Sequence, residues 1–162
     1  MKTFRIGGVH PAENKLSAAE PIKVAELPKV AVFPMGQHIG APALPVVQKG
    51  DKVKVGTLIA KPMENALSTS IFSSVSGTVL KVDTVVDASG YKKPAVYVSV
   101  EGDEWEESID RSDKLVTLKD KPELTPEQII EKVKNAGVVG MGGACFPTHV
   151  KLNGKAEYVI AN

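Results

Sequence analysis

The sequence is poor in the residues on which most recognisable chemistry depends. Its 162 residues include a single cysteine, Cys145, and three histidines. One thiol excludes an intramolecular disulfide framework. Alone it holds neither a zinc ion nor an iron–sulfur centre, so any such centre needs ligands from elsewhere. Charge of one sign is also lacking: twenty basic residues face nineteen acidic ones, a formal net charge of +1. Nothing in that balance points to nucleic acid or to an acidic surface. No apolar run approaches the roughly 18 residues of a membrane span, and the first thirty residues lack the basic start, apolar core and cleavage site of a signal peptide. A cytoplasmic protein is the simplest reading, and peripheral attachment to a membrane complex is compatible with it. With 43% hydrophobic residues the composition is that of a globular protein, one ordinary domain or two small ones.

What is present begins with an aperiodic stretch, residues 1–28, in which Gly7, Gly8, Pro11, Pro21 and Pro28 favour an extended arm laid over a domain. From Val30 short apolar runs follow at close spacing, 30–33, 53–55, 58–60, 71–73, 78–82 and 95–100. Such spacing indicates a small barrel or sandwich. Gly50-Asp51 and Ser76-Gly77 fall between these runs, where tight reversals call for positive φ, and Pro94 suits a strand start. Residues 101–123 turn acidic and broken. They read as a solvated connector without chemistry of its own, with Trp105 as an anchor and 115–118 as a short strand.

One helix is fully specified. Thr125 is a good N-cap, Pro126 falls at the first helical position, and Gln128 completes a capping box. Leu124 and Ile129 are placed for a hydrophobic staple. Ile129, Ile130, Val133 and Ala136 form the apolar stripe, and Gly137 is the natural left-handed stop. The helix delivers the chain into Gly137-Val-Val-Gly-Met-Gly-Gly-Ala-Cys-Phe-Pro-Thr-His-Val-Lys151. Four glycines here free the backbone for close approach, Phe146 adds a flat apolar face, and Lys151 a cation. A loop that wraps a flat, phosphate-bearing cofactor needs that combination.

Familiar phosphate loops do not fit. A Walker A loop ends in Gly-Lys-Ser/Thr, whereas Gly142 is followed by Gly143 and Ala144. The dinucleotide fingerprint begins at Gly140 and Gly142 but meets Cys145 at its last glycine, and it follows a helix here instead of a strand. A plain helix cap and turn account for Gly137 and Gly140, yet not for Gly142-Gly143 with Phe146-Pro147 and Lys151. Cys145 and His149 have the i, i+4 spacing of two metal ligands, but two ligands do not make a site and Pro147 between them disfavours a regular helix. His10 and His38, beside glycines and prolines, are read as hydrogen-bonding groups that fix irregular backbone.

The run from Gly140 to Lys151 resembles the flavin-binding loop in the C subunit of Rnf-type electron-transport complexes, itself related to the loop in the FMN-carrying subunit of respiratory complex I and of NAD-reducing hydrogenases. Gly7-Gly8-Val9-His10-Pro11, Glu13-Asn14-Lys15, Gln37-His38-Ile39-Gly40-Ala41-Pro42 and Ser76-Gly77-Thr78-Val79 extend the resemblance along the chain. It implies that Gly140, Gly142 and Gly143 let the backbone approach FMN, with amides turned to its phosphate and ribityl chain. It further implies that Phe146 packs where nicotinamide stacks on flavin, that Lys151 contacts the nucleotide, and that Asn162, closing a strand over 158–161, contacts FMN. Cys145 stands where complex I relatives carry glycine.

A second pattern, Gly50-Asp51-Lys52-Val53-Lys54-Val55-Gly56 followed by Ser76-Gly77-Thr78-Val79, is similar to biotinyl and lipoyl carrier domains. The tip that would carry the modified lysine reads Met63-Glu64-Asn65-Ala66-Leu67 instead, so the fold is shared without the swinging arm. The expected architecture is therefore a mainly β barrel-sandwich hybrid (29–102) after an arm (1–28). A connector (103–122) and the start of an α/β FMN-binding domain (123–162) follow.

By resemblance the whole protein passes electrons between NADH, FMN and [4Fe–4S] clusters in its later part. It would work beside other subunits on the cytoplasmic side of the bacterial inner membrane, peripherally and without nucleic acid. The chain reads as an N-terminal fragment of such a protein, inert by itself. The rival expectation is a non-catalytic docking module of lipoyl-like fold.

Overall fold

In the strand Lys92–Gly102, buried Val96 and Val98 alternate with Tyr97 and Ser99, which are less enclosed, so one face of the chain must find apolar cover. The computed structural model, which describes residues 2–3, 9–114, 124–158 and 160, supplies that cover from a second sheet. In chain order the strands are β1 (Lys2–Thr3), β2 (Val9–His10), β3 (Val30–Pro34), β4 (Leu44–Pro45), β5 (Lys52–Val53), β6 (Leu58–Lys61), β7 (Ile71–Phe72), β8 (Ser76–Val86) and β9 (Lys92–Gly102). The order β3-β9-β8-β5 forms one sheet, β4-β6-β7 a second, and β1-β2 a separate pair, all antiparallel.

The core draws on both larger sheets. Phe33, Val53, Val79, Val96 and Val98 come from the first, Ile59, Ala60 and Ile71 from the second, and Met35, Ala43 and Val75 close the edges. Each of the buried Val, Ile, Met and Phe side chains contributes about 1.5–3 kcal/mol on leaving water. Each of the expected apolar runs overlaps a strand.

Several local expectations are corrected. β8 and β9 run on as a ribbon to the pair Val86↔Lys92, beyond the last β3 partner pair Pro34↔Ala95. The ribbon is closed by the Asp87 carboxylate, which accepts from the amides of Ser89 at 2.9 Å and Tyr91 at 3.3 Å, and by Gly90 at φ +82. Pro94 therefore lies inside β9 and not at its start. There it pairs with Thr84 while its carbonyl accepts from Met35, and its missing N–H is tolerated because β3 has ended.

Gly50 does take positive φ, +95, but Gly77 does not mark a reversal. It lies within β8 at a register shift, where a Cβ would stand 1.9 Å from the Ser99 carbonyl oxygen. Close approach of two strands, not turn geometry, requires glycine there.

Within the expected arm, residues 11–28 are not laid over the barrel: Leu16, Ile22 and Val24 are almost fully exposed. Trp105 anchors less through its ring, 40% exposed beneath the Arg111 guanidinium, than through its backbone. Val55 bridges to Trp105, donating to the Glu104 carbonyl at 2.8 Å and accepting from Glu106 at 3.0 Å. Ile109 of the same connector fills the space above Gly56. The expected strand at 115–118 lies outside the described residues.

Helix α1 (Pro126–Asn135) forms with the reciprocal capping box of Thr125 and Gln128, and Gly137 follows it at φ +67. A short helix α2 (Thr148–Leu152) begins directly after Pro147. No strand appears at Tyr158 or Ile160; 159 and 161 lie outside the described residues, as does Asn162. The described part of 124–160 is two helices and a loop.

Replacing Gly77 with alanine drives a methyl into the Ser99 carbonyl and is expected to lower unfolding stability by about 3 kcal/mol. Gly36→Ala, into open space at an ordinary φ, should change it by less than about 1 kcal/mol. Denaturant unfolding of the two variants checks the contrast.

Candidate functional site

The glycine-rich loop is a closed hairpin and not a loose turn. Val139 bridges to Pro147, the Gly140 amide donates to the Phe146 carbonyl at 3.0 Å, and the Thr148 amide donates to Val138 at 3.0 Å. These bonds bring the two stems together and leave 141–144 as an exposed tip, with Met141 wholly in solvent.

The structure brings Gly140, Phe146 and Lys151 into one group. Where a Cβ would stand on Gly140, the nearest atoms are the backbone of Phe146 at 3.8 Å and Lys151 Nζ at 4.0 Å. The same Nζ lies 5.8 Å from the centre of the half-buried Phe146 ring, within reach of a weak cation–π contact. Gly142 and Gly143 stand apart from that group, at the tip.

The two tip glycines differ in what demands them. Gly143 is in the left-handed region at φ +59, where glycine is favoured. Gly142 has an ordinary φ, and a methyl on it would meet nothing within 4 Å. Folding does not require glycine at 142. Among the described residues the amides of Gly142, Gly143 and Ala144 donate to no protein acceptor. Consecutive unbonded amides beside a left-handed residue are a type of donor set that can receive anions.

Cys145 is the strained member. Its φ is +51, a conformation that costs a non-glycine residue about 1–2 kcal/mol. Its own amide makes only a long bond, 3.4 Å, to Gly142.

His149 lies at the other end, on α2. Its Nδ1 is buried without a partner, and burial, then the Lys134 ammonium, holds the imidazole below its ordinary value, with Glu131 opposing. Among the described residues no three His, Cys, Asp or Glu side chains gather as a metal site. His149 and Lys134 instead face the strand-connecting tip 62–68 across a cleft of about 630 Å³. The tip that carrier domains display freely is turned toward the helices.

Sequence reasoning missed how the loop is held. Gly137 is more than a helix stop: a Cβ there would lie 2.6 Å from the Ser70 carbonyl oxygen and 3.1 Å from the Phe72 ring, so the helix end presses directly on β7 and the residue before it. The Ile39 amide donates to the Ala144 carbonyl at 2.9 Å, tying the tip to the barrel. The only signal in the sequence was the Gln37-His38-Ile39-Gly40 run, whose histidine does fix irregular backbone as expected.

The fold and the loop together define a barrel-sandwich hybrid domain with a glycine-rich hairpin docked on one side. The family profile described as the RnfC barrel sandwich hybrid domain matches residues 2–103. The chain is 43% identical over 154 residues to the C subunit of the proton-translocating ferredoxin:NAD(+) oxidoreductase complex of Clostridium ljungdahlii, a match covering 94% of the chain and 32% of that protein. It is 40% identical to the C subunit of the Na(+)-translocating counterpart from Acetobacterium woodii (99% and 36%). Identity to the C subunit of the ion-translocating oxidoreductase complex of Rhodobacter capsulatus is 39% (98% and 30%). The chain belongs to the RnfC family. It spans about a third of the length of these curated relatives.

The strain at Cys145 is testable without any ligand. Cys145→Gly should be more stable than Cys145→Ala by about 1 kcal/mol, since both lose the thiol and only glycine escapes the left-handed penalty. Equal unfolding free energies for the two variants would contradict that geometry.

Proposed function

We propose that this chain supplies one wall of an FMN site in a protein that moves electrons between NAD(H) and iron–sulfur clusters within a membrane-attached complex. The observation that carries the reading is the free amide run at 142–144 on a hairpin whose Gly142 the fold itself does not require. A flavin phosphate is an anion with several acceptor oxygens, and adjacent amides at an open tip suit it without a side chain in the way. The residues present therefore fit the group that the family resemblance implies.

Gly140, Gly142 and Gly143 bring the backbone up to the cofactor. The Phe146 ring gives the flat face for an aromatic ring to pack on, and Lys151 offers its ammonium to the nucleotide's negative charge. Asn162, outside the described residues, is a further contact in this proposal. When bound, FMN supplies hydride and single-electron chemistry; the protein's share is to place it and to exclude competing reactions. Cluster ligands for [4Fe–4S] centres belong to the rest of the full-length protein, because Cys145 is the single cysteine here. The partners are other subunits of the complex on the cytoplasmic face of a bacterial inner membrane. No described helix is long and apolar enough to cross one. The chain alone is inert and holds FMN weakly or not at all.

One observation favours a docking role for the barrel as well. Among the described residues β3 is an edge strand, with Val30 and Val32 partly exposed, and unpaired edges invite pairing. The two roles are compatible.

In the full-length protein, Gly142→Val should weaken FMN binding about 100-fold and Lys151→Ala about 10-fold, near 2.7 and 1.4 kcal/mol. Both should leave the unfolding transition in place. Flavin fluorescence titration reads the affinities. Affinity unchanged in both variants would remove the loop from the site.

A further inference from the structure

We propose that the barrel segment 36–42 is a strap that positions the glycine-rich loop, and that His38 is its positioning residue. The strap lies outside the loop in sequence, touches no cofactor in the reading above, and determines where the loop tip can stand.

The tip has little to hold its shape from within. Ala144 is flanked by two left-handed residues, Gly143 at φ +59 and Cys145 at φ +51, and such a sequence closes no repeating hydrogen-bond pattern. The internal bond across it, Cys145 to Gly142, is long at 3.4 Å. The short bond at the tip comes from outside: the Ile39 N–H reaches the Ala144 carbonyl at 2.9 Å. That bond fixes the plane of the Ala144–Cys145 peptide, and with it the direction in which the preceding amides point.

Ile39 in turn is fixed by His38. Its carbonyl lies 3.0 Å from His38 Nδ1, while the Thr69 amide donates to His38 Nε2 at 3.3 Å. A backbone amide can only donate, so Nε2 is the accepting nitrogen and the proton is on Nδ1, the tautomer that satisfies both contacts. On the far side of Ile39, Gly40 at φ +109 passes so close to Leu67 that a Cβ would lie 2.2 Å from its carbonyl oxygen, and the Ala41 amide donates to the same oxygen at 2.9 Å.

The strap is thus gripped at both ends by 67–69, and the next carbonyl, Ser70, is the one against which Gly137 packs. Both the entry to the loop and its tip are referenced to one short stretch of barrel. The barrel segment 67–70, through the strap and through Gly137, sets the position of the amides at 142–144.

The test uses the full-length protein and two readouts, the first without flavin. His38→Phe keeps a ring of similar shape and removes both hydrogen bonds. Amide hydrogen exchange at Ile39 and Cys145, which donate to the Ala144 and Gly142 carbonyls, should then rise about ten-fold, with Val96 and Val98 in the barrel core as protected as before. His38→Gln, whose amide oxygen can still accept from Thr69, should recover most of that protection. Gly40→Ala displaces the strap with His38 intact and should loosen the same residues. Exchange at Ile39 and Cys145 within about two-fold of the unaltered protein in both His38→Phe and Gly40→Ala would overturn the proposal. So would loosening spread evenly through the barrel, which marks a general fold role.

FMN titration is the second readout, and here alone the inference rests on the flavin assignment. About ten-fold weaker binding by His38→Phe, rescued by His38→Gln, is expected. Loosened exchange with unchanged FMN affinity would retain the strap and overturn the flavin role of the loop.

Discussion

The contact between Gly137 and the Ser70 carbonyl is the constraint from which the arrangement of the second half of the chain follows. A helix that ends in a left-handed residue turns its chain sharply, and a helix end that packs backbone against backbone leaves no room for a side chain. Gly137 meets both conditions at once, at φ +67 and with Ser70 2.6 Å from where a Cβ would be. The loop therefore leaves the barrel surface from a fixed point and in a fixed direction. Closure by Val139 with Pro147 then returns it within a few residues, and Ile39 ties down what projects.

This arrangement separates residues needed to build the site from residues needed to use it. Gly137 and Gly143 are explained by conformation or clearance. Gly142 is explained by neither, and among the described residues its amide and the next two have no acceptor. An exposed glycine that the fold does not ask for, beside free donors, is the local mark of a surface made for something to approach. The barrel's own tip tells the opposite story. Carrier domains hold theirs out with a lysine at the end, whereas 62–68 here carries none and faces Lys134 and His149 across a cleft.

The features legible in the sequence were those decided by neighbours in the chain. The capping box of Thr125 and Gln128, the stop at Gly137, the break that Pro147 puts between Cys145 and His149 and the apolar run 95–100 in β9 all depend on a few adjacent residues. Those misread depended on a distant partner. Ser76-Gly77 has the composition of a turn, but Ser99, more than twenty residues away, makes Gly77 a close crossing inside β8. Pro94 is tolerated within β9 because β3 happens to end beside it. The Ile39 to Ala144 bond joins residues a hundred positions apart through backbone atoms, which no side-chain pattern records. Cys145 was noticed as a departure from glycine, and the structure adds its physical meaning, a left-handed backbone that a thiol-bearing residue occupies at a cost.

The central claim is that the amides of residues 142–144 receive an FMN phosphate while the barrel holds them in place. Residue-resolved amide exchange of the full-length protein, with and without FMN, addresses it directly. The account predicts that exchange at Gly142, Gly143 and Ala144 slows on adding FMN, while exchange in β8 and β9 stays as it was. Bound FMN with those three amides exchanging at their unliganded rate would contradict it.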